Sequence, residues 1–81
     1  MNDNKTIWLS EMAVGTSGVI VEFASGADDL ERIEEMGVTP GEAVQIVRYA
    51  PLGDPIEIKV RGYFLSLRKQ EADRIKVKVL K

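Results

Sequence analysis

The stretch Ile56-Glu57-Ile58-Lys59-Val60-Arg61-Gly62-Tyr63-Phe64-Leu65-Ser66-Leu67 decides the fold. Its first six residues alternate strictly, apolar then charged, which is the two-residue period of a strand with one face buried and one in water. Gly62 allows a tight turn or bulge, and Tyr63 to Leu67, rich in aromatic and large apolar side chains, reads as a second strand. Tyr63, Leu65 and Leu67 share one face of it, so Phe64, with Arg68, points the other way.

Working outward, Pro51-Leu52-Gly53-Asp54-Pro55 is turn-rich and long enough for a hairpin loop, and Ala43 to Tyr49 before it is another strand. Pro40-Gly41 marks a turn. Asp28 to Met36 is expected to be the one α-helix, with acidic residues in its first turn, an Asp28–Arg32 pair, and Leu30, Ile33 and Met36 on a narrow apolar stripe. Gly37 is the residue a left-handed helix end requires. Val19 to Phe23 is a strand with Val19, Val21 and Phe23 on one face, after a loop bracketed by Gly15 and Gly18. Ile7-Trp8-Leu9 is a short apolar entry, followed by a single turn at Ser10-Glu11-Met12. On the C-terminal side, Lys69 to Asp73 is a short helical turn and Arg74 to Val79 the last strand.

Five short strands in so few residues cannot make a two-layer sandwich of useful size, whereas a bent antiparallel sheet closing on itself hides its edges. The expected fold is mainly β: a small SH3-like antiparallel β-barrel with one short α-helix capping an end. Residues 1–6 are expected to be a flexible N-terminus and 7–81 the single domain.

At 81 residues the chain buries only about 60–65% of the surface its unfolded form exposes, leaving little room for a deep catalytic cavity. It contains no cysteine and no histidine, which removes disulfides, thiolate nucleophiles, Cys/His zinc sites and imidazole bases. Without histidine, Ser10, Ser17, Ser25 and Ser66 have no activating base, and no glycine loop of the phosphate-binding kind is present. The sequence therefore predicts no catalytic residues, no cofactor and no enzyme activity. Net charge is −2. Arg74, Lys76, Lys78 and Lys81 cluster near the end but alternate with Ile75, Val77 and Val79, as on the wet face of a strand, so no nucleic-acid partner is expected. No apolar run approaches the length of a membrane span, and a cytoplasmic protein without membrane insertion is expected.

Three segments together resemble the FeoA family: Glu35-Met36-Gly37-Val38-Thr39-Pro40-Gly41-Glu42 after a helix, Arg48-Tyr49-Ala50-Pro51-Leu52-Gly53-Asp54-Pro55-Ile56, and Val60-Arg61-Gly62-Tyr63-Phe64-Leu65-Ser66-Leu67-Arg68-Lys69-Gln70-Glu71-Ala72. Leu9-Ser10-Glu11-Met12 through Gly15 and Gly18 fits as well, so the likeness runs from about residue 7 to residue 79. It implies an SH3-like barrel and a cytosolic accessory to FeoB, the ferrous iron transporter that carries a cytoplasmic G-protein domain. Related domains also end some iron-dependent transcriptional repressors, and a free-standing regulatory module of that kind is the alternative.

The glycines and prolines at 37, 40, 41, 53, 55 and 62 shape turns and are not expected to touch a ligand. Asp28, Asp29, Glu31, Glu34 and Glu35 form an acidic helix face, read as a solvated surface; a carboxylate site for iron(II) is the functional reading of the same residues, and no metal ligands are assigned. Asp54 is a turn residue first. Trp8, Tyr49, Leu52, Tyr63 and Phe64 are large groups near turns or strand ends. From these the expected partner-binding residues are Leu52 and Phe64, with Tyr49 and Arg68 beside them, and the same patch suits self-association. Arg48, Arg61 and Arg68 are considered as arginine fingers for a partner G-protein, against the ordinary fate of a solvated or ion-paired strand arginine.

Overall fold

The computed structural model of the chain describes residues 6–24 and 30–80. Six antiparallel strands lie in one sheet in the order β1-β6-β2-β3-β4-β5. They are β1 (Thr6–Trp8), β2 (Ser17–Phe23), β3 (Ala43–Tyr49), β4 (Ile56–Val60), β5 (Tyr63–Leu67) and β6 (Ile75–Val79). Two short helices, α1 (Glu31–Glu35) and α2 (Lys69–Ala72), and a 3₁₀ turn at Leu9–Glu11 complete the fold. The mainly β, SH3-like expectation stands, with one strand and one helix more than the sequence suggested. Of the expected helix, the residues before Leu30 lie outside the described ones, and with them the Asp28–Arg32 pair.

The alternation that decided the fold is realised directly. Ile56, Ile58 and Val60 are buried, and Val44 and Ile46 of β3 lie beside Val60 and Ile58 on the same face. Arg61 and Gly62 take positive φ of 54° and 88°, so β4 and β5 are joined by a two-residue turn of the type that matches strand twist, with Val60 opposite Tyr63. β6 sends Ile75 and Val77 into the same core from the other side, and Leu30 and Ile33 at α1, with Ala72 of α2, close it.

Two bulges redirect side chains. In β2 the inward residues are Gly18 and Ile20, and the register against β6 then shifts between Ile20 and Glu22, after which Phe23 turns inward. The expectation that Val19, Val21 and Phe23 share a face is therefore corrected: the extra residue flips the alternation, and Val21 is 42% exposed. Gly18 belongs to β2 and not to the loop before it, and a Cβ there would meet the Lys78 carbonyl oxygen at 3.0 Å, so the strands approach closely at this point. In β3 a shift between Ile46 and Arg48 does the same, leaving Arg48 outward and Tyr49 packed on the core.

The sheet bends around its core, but its hydrogen-bonded order ends at β1 on one side and β5 on the other. Closure thus shapes the module without hiding every edge.

Candidate partner-binding surface

The large apolar groups left exposed among the described residues are Val14, Val21, Leu52, Tyr63, Phe64 and Leu80. Leu52 stands at the tip of the β3–β4 loop and is 96% exposed, whereas Phe64 on β5 is 58% exposed. Both expected contact residues are therefore on the surface, but not side by side. Phe64 is opposite Lys59, and Leu67 is opposite Ile56, where the loop carrying Leu52 ends. Three strand residues, about 10 Å, separate Phe64 from that end of the loop.

At the Leu52 end, the loop is tied to α2. The Lys69 backbone N–H donates to Asp54 Oδ1 at 3.0 Å, so Asp54 supplies an acceptor for the first turn of that helix as well as shaping its own turn. The exposed Arg68 precedes that helix, and its backbone N–H donates to Glu71 Oε1 at 2.9 Å. Tyr49 is half-buried, with its hydroxyl donating to the Met12 carbonyl and lying 3.3 Å from that of Ser10. Burial pushes its phenol above the ordinary value. The Tyr49 hydroxyl is thus engaged within the fold, leaving Leu52 and Arg68 as the open groups here. Behind them, Ser10 Oγ donates to Asp73 Oδ1 at 2.5 Å and Lys69 Nζ lies 3.3 Å from the same oxygen. The Ser10 bond holds the Asp73 carboxyl below its usual value; partial burial opposes this, and Lys69 adds to the lowering.

At the Phe64 end, Lys59 Nζ lies 5.8 Å from the Phe64 ring centroid, a cation–π contact on the outer face. Tyr63 donates its hydroxyl to the Met36 carbonyl at 2.7 Å, clamping the β4–β5 hairpin to the end of α1. Gly37 (φ +103°) makes this approach possible: a Cβ there would meet Arg61 Cδ at 2.7 Å. The arginines considered as fingers lie apart. Arg48 is 3.9 Å from Glu57, Arg61 is 3.7 Å from Glu42, and Arg68 is at the opposite end of β5 from Arg61. Among the described residues no three acidic side chains converge on a metal position; Asp28 and Asp29 lie outside those residues. No helix among them is long and apolar enough to cross a membrane.

Sequence reasoning missed one buried polar group, Glu71. Its Oε2 accepts from Arg32 Nη2 at 2.7 Å, joining α1 to α2 across 39 residues of chain. Only the folded register brings these two together.

A single bent antiparallel sheet and two short helices, with large apolar groups exposed on a loop tip and the outer strand, define a small SH3-like module. The FeoA domain model matches residues 7–79, and the chain belongs to that family. It is 36% identical over 72 residues to the Fe(2+) transport protein A/Fe(2+) transporter FeoB fusion protein of Porphyromonas gingivalis, covering 89% of this chain and 8% of that relative's length. Among solved structures it resembles a FeoA-like protein from Clostridium acetobutylicum (37% identity, TM-score 0.87, covering 100% of this chain and 92% of that one). It also resembles Stenotrophomonas maltophilia FeoA complexed with zinc, described as a prokaryotic SH3 domain protein (31% identity, TM-score 0.75, 88% of each chain). A manganese-dependent transcriptional repressor, at 14% identity and a TM-score of 0.83, shares the fold alone.

Proposed function

We propose that this FeoA-family chain is a cytoplasmic accessory of ferrous iron uptake that binds the cytoplasmic part of a FeoB-type transporter and performs no chemistry itself. The observation that carries this reading is the Porphyromonas gingivalis relative, in which transport protein A and FeoB are one polypeptide. Fusion raises the effective concentration of one partner at the other, which is useful where the separate contact is weak. The exposed groups Leu52 and Phe64, with Arg68, supply the contact, and Tyr49, just before the Leu52 loop, is anchored through its hydroxyl to Met12. Because the two exposed apolar groups lie at opposite ends of β5, the partner either spans the strand or uses one end.

The test is an NMR titration of the labelled protein with the cytoplasmic domain of FeoB from the same organism, in the presence of GDP and of a GTP analogue. Shifts at Leu52 or Phe64 support the adaptor reading, and a nucleotide-dependent difference adds regulation of the G-protein cycle. Absence of any shift with the domain and with the intact transporter refutes it. The regulatory-module alternative has the repressor's fold likeness in its support. It predicts instead that the chain binds a Pro-rich segment or a second regulator domain.

A further inference from the structure

β5 ends the sheet, and the register of its hairpin shows which of its backbone groups are unused. A two-residue turn makes Val60 and Tyr63 a hydrogen-bonded pair, and bonded pairs then recur at every second position, at Ile58–Leu65 and Ile56–Leu67. The N–H and C=O groups of Phe64 and Ser66 therefore point away from β4. Both residues are exposed, and no strand among the described residues lies beside them. Natural edges are commonly blunted by a charge, a proline, a bulge or a very short strand. Tyr63-Phe64-Leu65-Ser66-Leu67 carries neither charge nor proline, pairs without a bulge, and spans five residues. Leu65 is only half-buried, although Leu67 on the same face and Ile58 opposite it are fully buried.

We infer that the β5 edge is a docking site for an extended segment of another protein, added as a seventh strand, apolar at alternate positions and acidic at its ends. Charge selects this occupant. Beside the edge stand Lys59 over Phe64 and Arg68 at the end of the strand, whereas Arg61 at the hairpin turn is shared with Glu42. The carboxylate on the same outer face, Glu57, faces Arg48 at 3.9 Å, and Glu42 is 3.7 Å from Arg61. A second copy of this chain is disfavoured. The self-pairing register that uses all four outward groups sets Phe64 opposite Ser66 and centres on Leu65. At each end of that pairing the turn bearing Arg61 meets the start of α2, which carries Arg68 and Lys69, so like charges approach and oppose association. An added strand with an apolar residue beside Leu65 completes the burial that the edge leaves open, and main-chain bonds supply the affinity. The inference deepens the adaptor reading and rests on it only for which protein supplies the strand.

The test uses the full ¹⁵N-labelled chain and a synthetic capped peptide, Asp-Glu-Val-Thr-Val-Thr-Val-Glu-Asp, with a counterpart carrying Lys at the four acidic positions. The expected result is that the Phe64 and Ser66 amides shift most and exchange with solvent about tenfold more slowly when the peptide is bound, with the basic peptide about tenfold weaker. Ser66→Pro removes an outward N–H that β4 does not use, so it leaves the spectrum folded and abolishes binding. No response at Phe64 and Ser66 with about 1 mM acidic peptide overturns the inference, and so does equal binding of the basic one. Concentration-dependent shifts of these amides without peptide, with slower tumbling, also overturn it, by making a second copy the occupant. Peptide binding alongside a failed FeoB titration rejects the proposed partner and keeps the edge. FeoB binding that leaves these two amides unmoved rejects the edge and keeps the partner.

Discussion

Truncating Glu71 to Ala tests whether one buried carboxylate joins the two helices. Its side chain is 8% exposed, while that of Arg32, its ion-pair partner at 2.7 Å, keeps 55% of its surface. Glu71→Ala removes the acceptor of the Arg68 N–H at the start of α2, a loss of about 1 kcal/mol for a cap of this kind. It also removes a charge-assisted bond worth about 1.5–3 kcal/mol, taken at the low end because Arg32 regains water. The sum is about 2–3 kcal/mol, a large part of the roughly 4–12 kcal/mol expected for 81 residues. With a urea slope of about 1 kcal/mol/M, the unfolding midpoint falls by about 2–3 M. Arg32→Ala costs at least as much although Arg32 is the more exposed partner, because it strands a carboxylate where little water reaches. Glu71→Gln keeps an acceptor for Arg68 and costs about half. Urea unfolding of the two single variants and the double variant gives the coupling, expected at or above about 1 kcal/mol. A Glu71→Ala midpoint within about 0.5 M of the parent, or negligible coupling, refutes the reasoning.

Gly37→Ala is expected to cost about 1–3 kcal/mol, chiefly from holding φ at +103°, so adding Arg61→Ala, which clears the 2.7 Å contact, recovers little of it. Full recovery in urea unfolding of the double variant would place the cost in the contact instead. Asp54→Ala removes the acceptor for the Lys69 N–H and lowers stability by about 1 kcal/mol, while Asp54→Asn retains most of it; equal losses in thermal unfolding refute the hydrogen-bond account. Asp73 is depressed in the folded state, first by the Ser10 hydrogen bond, so its contribution is complete above its unfolded value, near pH 4, and is lost as pH falls through the folded one. The difference in urea midpoint between the parent and Asp73→Asn should accordingly close below about pH 4, and a difference that persists in acid refutes the assignment.

The strands best read from sequence are those bounded by turn chemistry. Ala43–Tyr49 and Tyr63–Leu67 have the expected limits because Pro40-Gly41, Pro51 to Pro55 and Gly62 punctuate them. β1 was legible only as an apolar entry, since three residues make a strand here through pairing with β6, and pairing is not a local property. The facing of β2 was misread because Val19, Ile20 and Val21 are all apolar, and a bulge inside such a run leaves no mark in the pattern. The same limit applied at the surface. Phe64 was placed outward by alternation and Leu52 by its loop, yet their separation depends on register. The bulge in β3 then carries Tyr49 to the core, where its hydroxyl reaches Met12. Asp54 was recognised as a turn residue, but its bond to Lys69 joins residues 15 apart. Glu71 sat inside a family segment without showing that its charge is answered 39 residues upstream.

Within the segments that identify the family, the glycines that shape turns and the residues proposed to meet a partner are different positions, and topology explains why. Gly37 and Gly62 sit where the chain reverses, and together they let the β4–β5 hairpin close against the end of α1. From Leu67 the chain does not return as a neighbouring strand. It passes through α2, held by Asp54 and Glu71, and enters the sheet again as β6 between β1 and β2. That crossover leaves β5 at the edge, while Ile75 and Val77 supply the core from the far side. A small domain gains by this route a core built from several elements, and β5 keeps a neighbour on one side only. On the edge-docking proposal the motif glycines act indirectly: they set the turn and the approach that hold β5 in place, while Phe64 and Ser66 carry the outward backbone groups.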